Sequence, residues 1–164
     1  MRIASVVIYP VFVVFLTTLA TVAQGSLVKV DAWKSVTFCS MTFSVPKTLK
    51  DKEARGIDSC VAALSDDAIS LSIDSGWYSG VSRYDDYLEF KEKKIVIDGK
   101  KGTLATYRDS TMAPEQSWVA RLFVVIERSR ARSPEVATNM YVVVGSKEEL
   151  ATAERIIRSI KFDK

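Results

Sequence analysis

The chain has no histidine. That absence excludes Ser–His and Cys–His activation of a nucleophile and every histidine-based zinc site. Two further signatures are missing: there is no G-x-S-x-G and no glycine-rich phosphate cradle. Cysteine is scarce, with two residues in 164. An excess of one charge is also lacking. Twenty-three basic against 20 acidic residues leave +3, too weak a field to argue for a nucleic-acid partner. No internal repeat, low-complexity stretch or interdomain linker interrupts a length that fits one domain.

What is present begins at the N-terminus. Residues 3–23 carry no charge, Arg2 supplies a positive start, and Ala23 and Gly25 are small at the two positions a signal peptidase reads. This pattern predicts a signal peptide over residues 1–25, cleaved after Gly25, and a mature domain over 26–164 that is secreted or periplasmic. The competing reading is a retained membrane anchor, because the apolar run approaches the length of a span. No cysteine lies near the cut, which argues against a lipid anchor. Loss of residues 1–25 removes only Arg2 among the charged residues and leaves a net +2. Basic residues gather over residues 91–101 and at Arg128, Arg130 and Arg132. Both groups read as a solvated strand edge or hairpin loop, with an anionic surface or ligand as the other reading.

Cys39 and Cys60 both fall in the exported part, where a disulfide can form. Such a bridge is worth about 3 kcal/mol in the chain-entropy model. Both cysteines sit in strand-like runs. If residues 46–57 form the whole loop of a hairpin between them, Phe43 faces Cys60 and the sulfurs are too far apart; a shorter loop brings Cys39 opposite Cys60. A disulfide and two buried free thiols both remain open readings.

Periodicity predicts mostly strands and one late helix. Residues 36–45 read as a strand with Cys39, Met41, Phe43 and Val45 on one face, ended by Pro46. Residues 47–56 read as a charged connection, 57–64 as a second strand, and Ser65, Asp66 and Asp67 as a turn. Ile69, Leu71 and Ile73 alternate with Ser70, Ser72 and Asp74, the pattern of an antiparallel strand with one polar face. Residues 83–90 read as either a short helix or irregular chain. Residues 95–98 and 103–107 make a hairpin around Asp98 and Gly99. Residues 108–117 read as a polar loop, 118–127 as a long apolar strand, and 129–137 as another polar loop. The five apolar residues 140–144 show no alternation and predict a strand covered on both faces. Ser146, with Glu149 three residues on, predicts a capping box. Leu150, Ala153, Ile156, Ile157 and Ile160 then form an apolar helical stripe, with Glu154 and Arg158 paired on the other side. The fold class is therefore α+β: a mainly antiparallel sheet with a C-terminal helix packed on one face.

Phe43-Ser44-Val45-Pro46, Ile97-Asp98-Gly99-Lys100-Lys101 and the ending over residues 153–162 occur in an order that resembles the PsbP-like group. That group includes the extrinsic photosystem II protein, a Ran-binding nuclear import factor and bacterial periplasmic proteins. Gly76-Trp77-Tyr78-Ser79 looks like a feature of a bacterial secreted branch. The resemblance spans residues 36–162 and implies an α/β/α-type sandwich with a binding or accessory role. It carries no site residue onto this chain. The metal binding of plant members leans on histidine, which is absent here.

The richest local cluster is Trp77, Tyr78, Arg83, Tyr84, Asp85, Asp86 and Tyr87, where aromatic surface and charge could orient a ligand. The alternative is that Trp77 and Tyr84 cover an open edge of the core. Asp85, Asp86 and Glu89 offer oxygen ligands for calcium but match no EF-hand loop. Asp74 with Asp85 or Asp86 could form a carboxylate pair for hydrolysis. The expected function is an exported non-enzymatic binding or accessory protein of the cell envelope. It would meet a protein or small-molecule partner there, with no cofactor, metal or nucleic acid, and touch the membrane only if the N-terminal segment stays attached. The alternatives are a carboxylate-based hydrolase acting on envelope or extracellular glycans and a membrane-tethered accessory protein.

Overall fold

A computed structural model describes residues 32–77, 79, 87–110, 117–127 and 136–163. Its first feature corrects the sequence reading. In place of one strand over 36–45 there is a hairpin, β1 (Trp33–Phe38) and β2 (Met41–Pro46). The chain reverses at Cys39 and Ser40, with φ of 51° and 58°. Two consecutive left-handed residues give the turn whose twist suits a two-residue hairpin, although neither is glycine. Met41, Phe43 and Val45 still share the buried face.

The charged connection contains β3 (Lys50–Lys52), preceded by the fully buried Leu49. The second strand starts later than expected, as β4 (Cys60–Ser65); Ile57 lies outside it and is wholly exposed, at 104%. β5 (Ile69–Gly76) keeps the expected alternation, with Ile69, Leu71 and Ile73 buried. Leu88–Phe90 belong to neither a helix nor a loop. They open the long β6 (Leu88–Ile97), which pairs with β7 (Lys100–Asp109) around Asp98 and Gly99, at φ 47° and 78°. Both strands outrun the sequence reading, and a break in register between Leu88 and Lys91 marks a bulge. β8 (Ser117–Glu127) and β9 (Val136–Val144) follow, then α1 (Leu150–Arg158) and β10 (Lys161–Phe162).

Seven strands form one sheet in the order β3-β4-β5-β9-β8-β7-β6, and β1-β2-β10 form another. Every pairing is antiparallel. The large sheet is thus two meanders joined through β5 and β9. α1 lies against β8 and β9, burying Ala153, Ile156 and Ile157, and Ile160 just beyond it, against Leu122, Met140 and Val142. Each large aliphatic side chain there contributes about 1.5–3 kcal/mol. The α+β class read from the sequence is the class observed. The second helical layer of an α/β/α sandwich is not among the described residues.

Helix entry differs from expectation. The helix starts at Leu150 with Glu149 in the cap position and no side-chain cap bond. Half of the expected box survives, as the Ser146 amide donates to Glu149 Oε2 at 3.0 Å. Glu154 and Arg158 pair at 3.5 Å as read.

Cys39 and Cys60 are bridged, with Cα atoms 5.5 Å apart. Neither hairpin register considered from the sequence applies, because β2 and β4 are not paired. The bridge instead ties the β1–β2 turn to the first residue of β4, joining the two sheets. A second tie lies at the tip of β6–β7. Asp98 accepts the Phe162 amide at 2.9 Å and approaches Lys161 at 3.4 Å.

Candidate functional site

Side chains alternate along a strand, so the large sheet has a second face turned away from α1. The registers align that face into rows. One row runs Lys94, Thr103, Phe123, Asn139 and Asp74 across β6, β7, β8, β9 and β5. The next runs Glu92, Ala105, Arg121, Tyr141 and Ser72, and a third runs Tyr107, Val119, Val143 and Ser70.

Arg121 is the centre of this face and is 2% exposed. Its Nε donates to Asn139 Oδ1 at 2.9 Å, and its Nη2 donates to the same oxygen. The guanidinium also lies 5.1 Å from the Tyr141 ring centre, a cation–π arrangement. Burial lowers its pKa below the ordinary arginine value. An arginine stays charged in such a setting, so the face holds a fixed positive charge.

Beside it, Tyr107 and Val119 are buried among Tyr87, Phe90, Tyr141 and Val143. Tyr87 stacks on Tyr107 with ring centres 4.4 Å apart. Burial, reinforced by Tyr87, Tyr141 and Asp109, raises the Tyr107 phenol above its ordinary range. Tyr107 is therefore a neutral hydroxyl at any physiological pH.

The β5 side of the face differs. Ser70 and Ser72 are exposed and Asp74 is partly exposed, yet Asp74 Oδ1 is buried with no hydrogen-bond partner among the described residues. Just past the strand, Trp77 is 60% exposed. Gly76 permits the close packing at this end, since a Cβ there would sit 2.8 Å from the Ser59 Cβ. The segment carrying the exposed Ile57 is thereby held beside the strand end that carries Trp77.

Of the residues singled out in the sequence, Trp77 is open to solvent and Tyr87 is half-buried on Tyr107. Tyr78, Arg83, Tyr84, Asp85 and Asp86 lie outside the described residues, as do Arg128, Arg130 and Arg132. Glu89 sits at the β6 bulge with φ 55°, bonded to Lys147 at 2.8 Å and 3.8 Å from Arg108. The hydrogen bond from Lys147 lowers its pKa. Sequence reasoning missed Arg121, Asn139 and Tyr107. The available signal was Arg121 itself, the one charge inside an otherwise apolar strand before Glu127.

A cleft of about 300 Å³ adjoins the end of this face at Ser70 and Val143, with Asp66, Asp67 and Glu149 also in its lining. Asp66 Oδ2 accepts the Thr48 hydroxyl at 2.5 Å, and its Oδ1 accepts the amides of Ala68 and Ile69 at 2.9 and 2.7 Å. Burial pushes this carboxyl up, but the Thr48, Ala68 and Ile69 hydrogen bonds outweigh it and hold the pKa below the ordinary value. Glu149 is committed to Ser146. Among the described residues, no group of three or more His, Cys, Asp or Glu is placed to hold a metal ion.

No family model matches the chain, and no curated protein does. A crystal structure from Bacteroides thetaiotaomicron VPI-5482 is similar at 13% identity and a TM-score of 0.45, over 76% of this chain and 46% of that one. The chain therefore spans less than half the length of the solved protein it matches, and so distant a likeness carries no functional argument.

Proposed function

We propose that this protein is an exported, non-enzymatic binding or accessory domain of the cell envelope. The observation that carries the reading is Trp77. A side chain with so much apolar surface stands 60% exposed, and a partner that covered it would gain its burial. Export is supported by the uncharged stretch over residues 3–23 and by the Cys39–Cys60 bridge, which suits an oxidising compartment. Kinship with the PsbP-like group belongs to the same reading, supported by the closing strand and helix with Ile156, Ile157 and Ile160 buried.

Hydrolysis by carboxylates needs one acid kept protonated near neutral pH. The pair read for it, Asp74 with Asp85 or Asp86, extends outside the described residues; Asp66 in the end cleft is biased toward the ionised form. The tethered alternative turns on residues 3–23, which lie outside the described residues; no described helix is long and apolar enough to cross a membrane.

Two measurements test the proposal. N-terminal sequencing of the exported material is expected to begin near Ser26, and a retained Met1 in the membrane fraction would favour the tether. Purified residues 26–164 are expected to cosediment with washed envelope material, with Trp77→Ala weakening the association at least tenfold. No sedimentation of the unaltered domain would sink the binding role.

A further inference from the structure

The two sheets end on four outer strands: β3 and β6 in the large sheet, β1 and β10 in the small one. An outer strand presents a row of unpaired N–H and C=O groups, which folds blunt by shortness, charge, proline or a bulge. Three of the four are blunted. β10 has two residues, and β3 has three, all of them charged. β6 is longer, but Lys91, Glu92, Lys93 and Lys94 are all exposed on it, and its register breaks between Leu88 and Lys91. β1 has none of these devices. Its six residues include no proline and keep one unbroken register with β2. Its one charged group, the Lys34 ammonium, is committed to the Leu49 carbonyl. Among the described residues, no strand pairs with its outer side.

The hydrogen bonds fix which residues face that open row. The Ser44 amide donates to the Ser159 hydroxyl at 2.8 Å, so Ser44 turns its backbone away from β1. Ser35, directly opposite, therefore turns its own backbone away from β2. Alternation adds Trp33 and Thr37 to the row. Ser35 and Thr37 are exposed, while Val36 and Phe38 are half-buried against the core, paired with Phe43 and Met41.

A second β1 strand matches this edge. Antiparallel pairing about a two-fold axis at Val36 sets Ser35 opposite Thr37 twice, where neighbouring hydroxyls can bond, and Val36 opposite Val36. Lys34 falls opposite Phe38, so no like charges meet. An axis at Ser35 would instead carry Phe38 beyond the end of the partner strand. We infer that the mature domain forms a two-fold dimer in which two β1 strands pair about Val36, joining the two small sheets into one. The pairing uses up the one unblunted edge among the described residues, so assembly closes at two. It is independent of any role for Trp77.

Sedimentation velocity of residues 26–164 over a concentration series tests this. A reversible monomer–dimer equilibrium is expected. Ser35→Lys with Thr37→Lys changes exposed positions, sets lysine opposite lysine twice and should weaken the dimer at least tenfold. Ser35→Glu with Thr37→Lys sets opposite charges across the same pairs and should dimerise at least as tightly as the unaltered domain. Circular dichroism melts of both variants report whether each folds. In the unaltered domain, the Ser35 and Thr37 amides should exchange with deuterium more slowly as concentration rises. A monomer at every concentration would overturn the inference and leave the edge to another protein's strand. Growth past two, equal weakening by both double variants, or exchange at Ser35 and Thr37 that ignores concentration would overturn it as well.

Discussion

The two faces of the seven-stranded sheet are built on different principles. The face under α1 is apolar, with Leu122, Met140 and Val142 meeting Ile156, Ile157 and Ile160. The opposite face buries an arginine, an asparagine and a tyrosine hydroxyl at its centre, exposes Ser70 and Ser72, and leaves Asp74 partly exposed. Packing on the first face needs only volume and shape. On the second, each buried polar atom needs a named partner, so this face is specific where the other is cohesive.

The largest effect that separates them is expected under the helix. Ile157→Ala should cost about 2–5 kcal/mol in urea unfolding, through lost transfer energy and a residual cavity. No second substitution on the same face should restore it. Removing the covalent tie by Cys39→Ala with Cys60→Ala should cost about 3 kcal/mol. Differential scanning calorimetry would read it, and a loss confined to the small sheet would show that β1–β2 melts separately.

On the polar face the size and the rescue should both differ. Arg121→Met leaves Asn139 Oδ1 without those donors and should cost about 1–3 kcal/mol. Adding Asn139→Leu should recover part of that loss, because removing both partners leaves fewer stranded polar atoms. Failure to recover would mean that the face depends on Arg121 for more than this pair.

The smallest effect is electrostatic. Asp66, Glu89 and Asp98 all titrate lower in the folded chain. The stabilisation each gives is in place above its unfolded pKa of about 4, and is lost as pH falls through the lower folded value. Stability should therefore be flat from neutral pH down to about 5 and decline below about 4. Asp66→Ala should cost about 1 kcal/mol at neutral pH and soften that decline.

Legibility followed the same division. The helix stripe and the alternation of Ile69, Leu71 and Ile73 were readable because burial on one face imposes a period. Asp98-Gly99 was readable because its turn chemistry is local. The β1–β2 reversal was not, since Cys39 and Ser40 are unusual residues for a left-handed turn. β3 holds only Lys50, Asp51 and Lys52, and most of β6 is exposed charge, so edge position hid both from any apolar pattern. The polar face was hidden because its rows draw on strands distant in sequence. Arg121 meets Asn139 and Tyr141 only once β8 and β9 are in register.

One consequence follows from how the two meanders meet. Within each, neighbouring strands are also neighbours in the chain, and such hairpins close quickly. The seam between β5 and β9 instead brings Ile69 to Val144 and Gly76 to Ala137, partners far apart in sequence. Closing it carries the larger entropic barrier, so zipping this seam should set the pace of folding, with the meanders forming first.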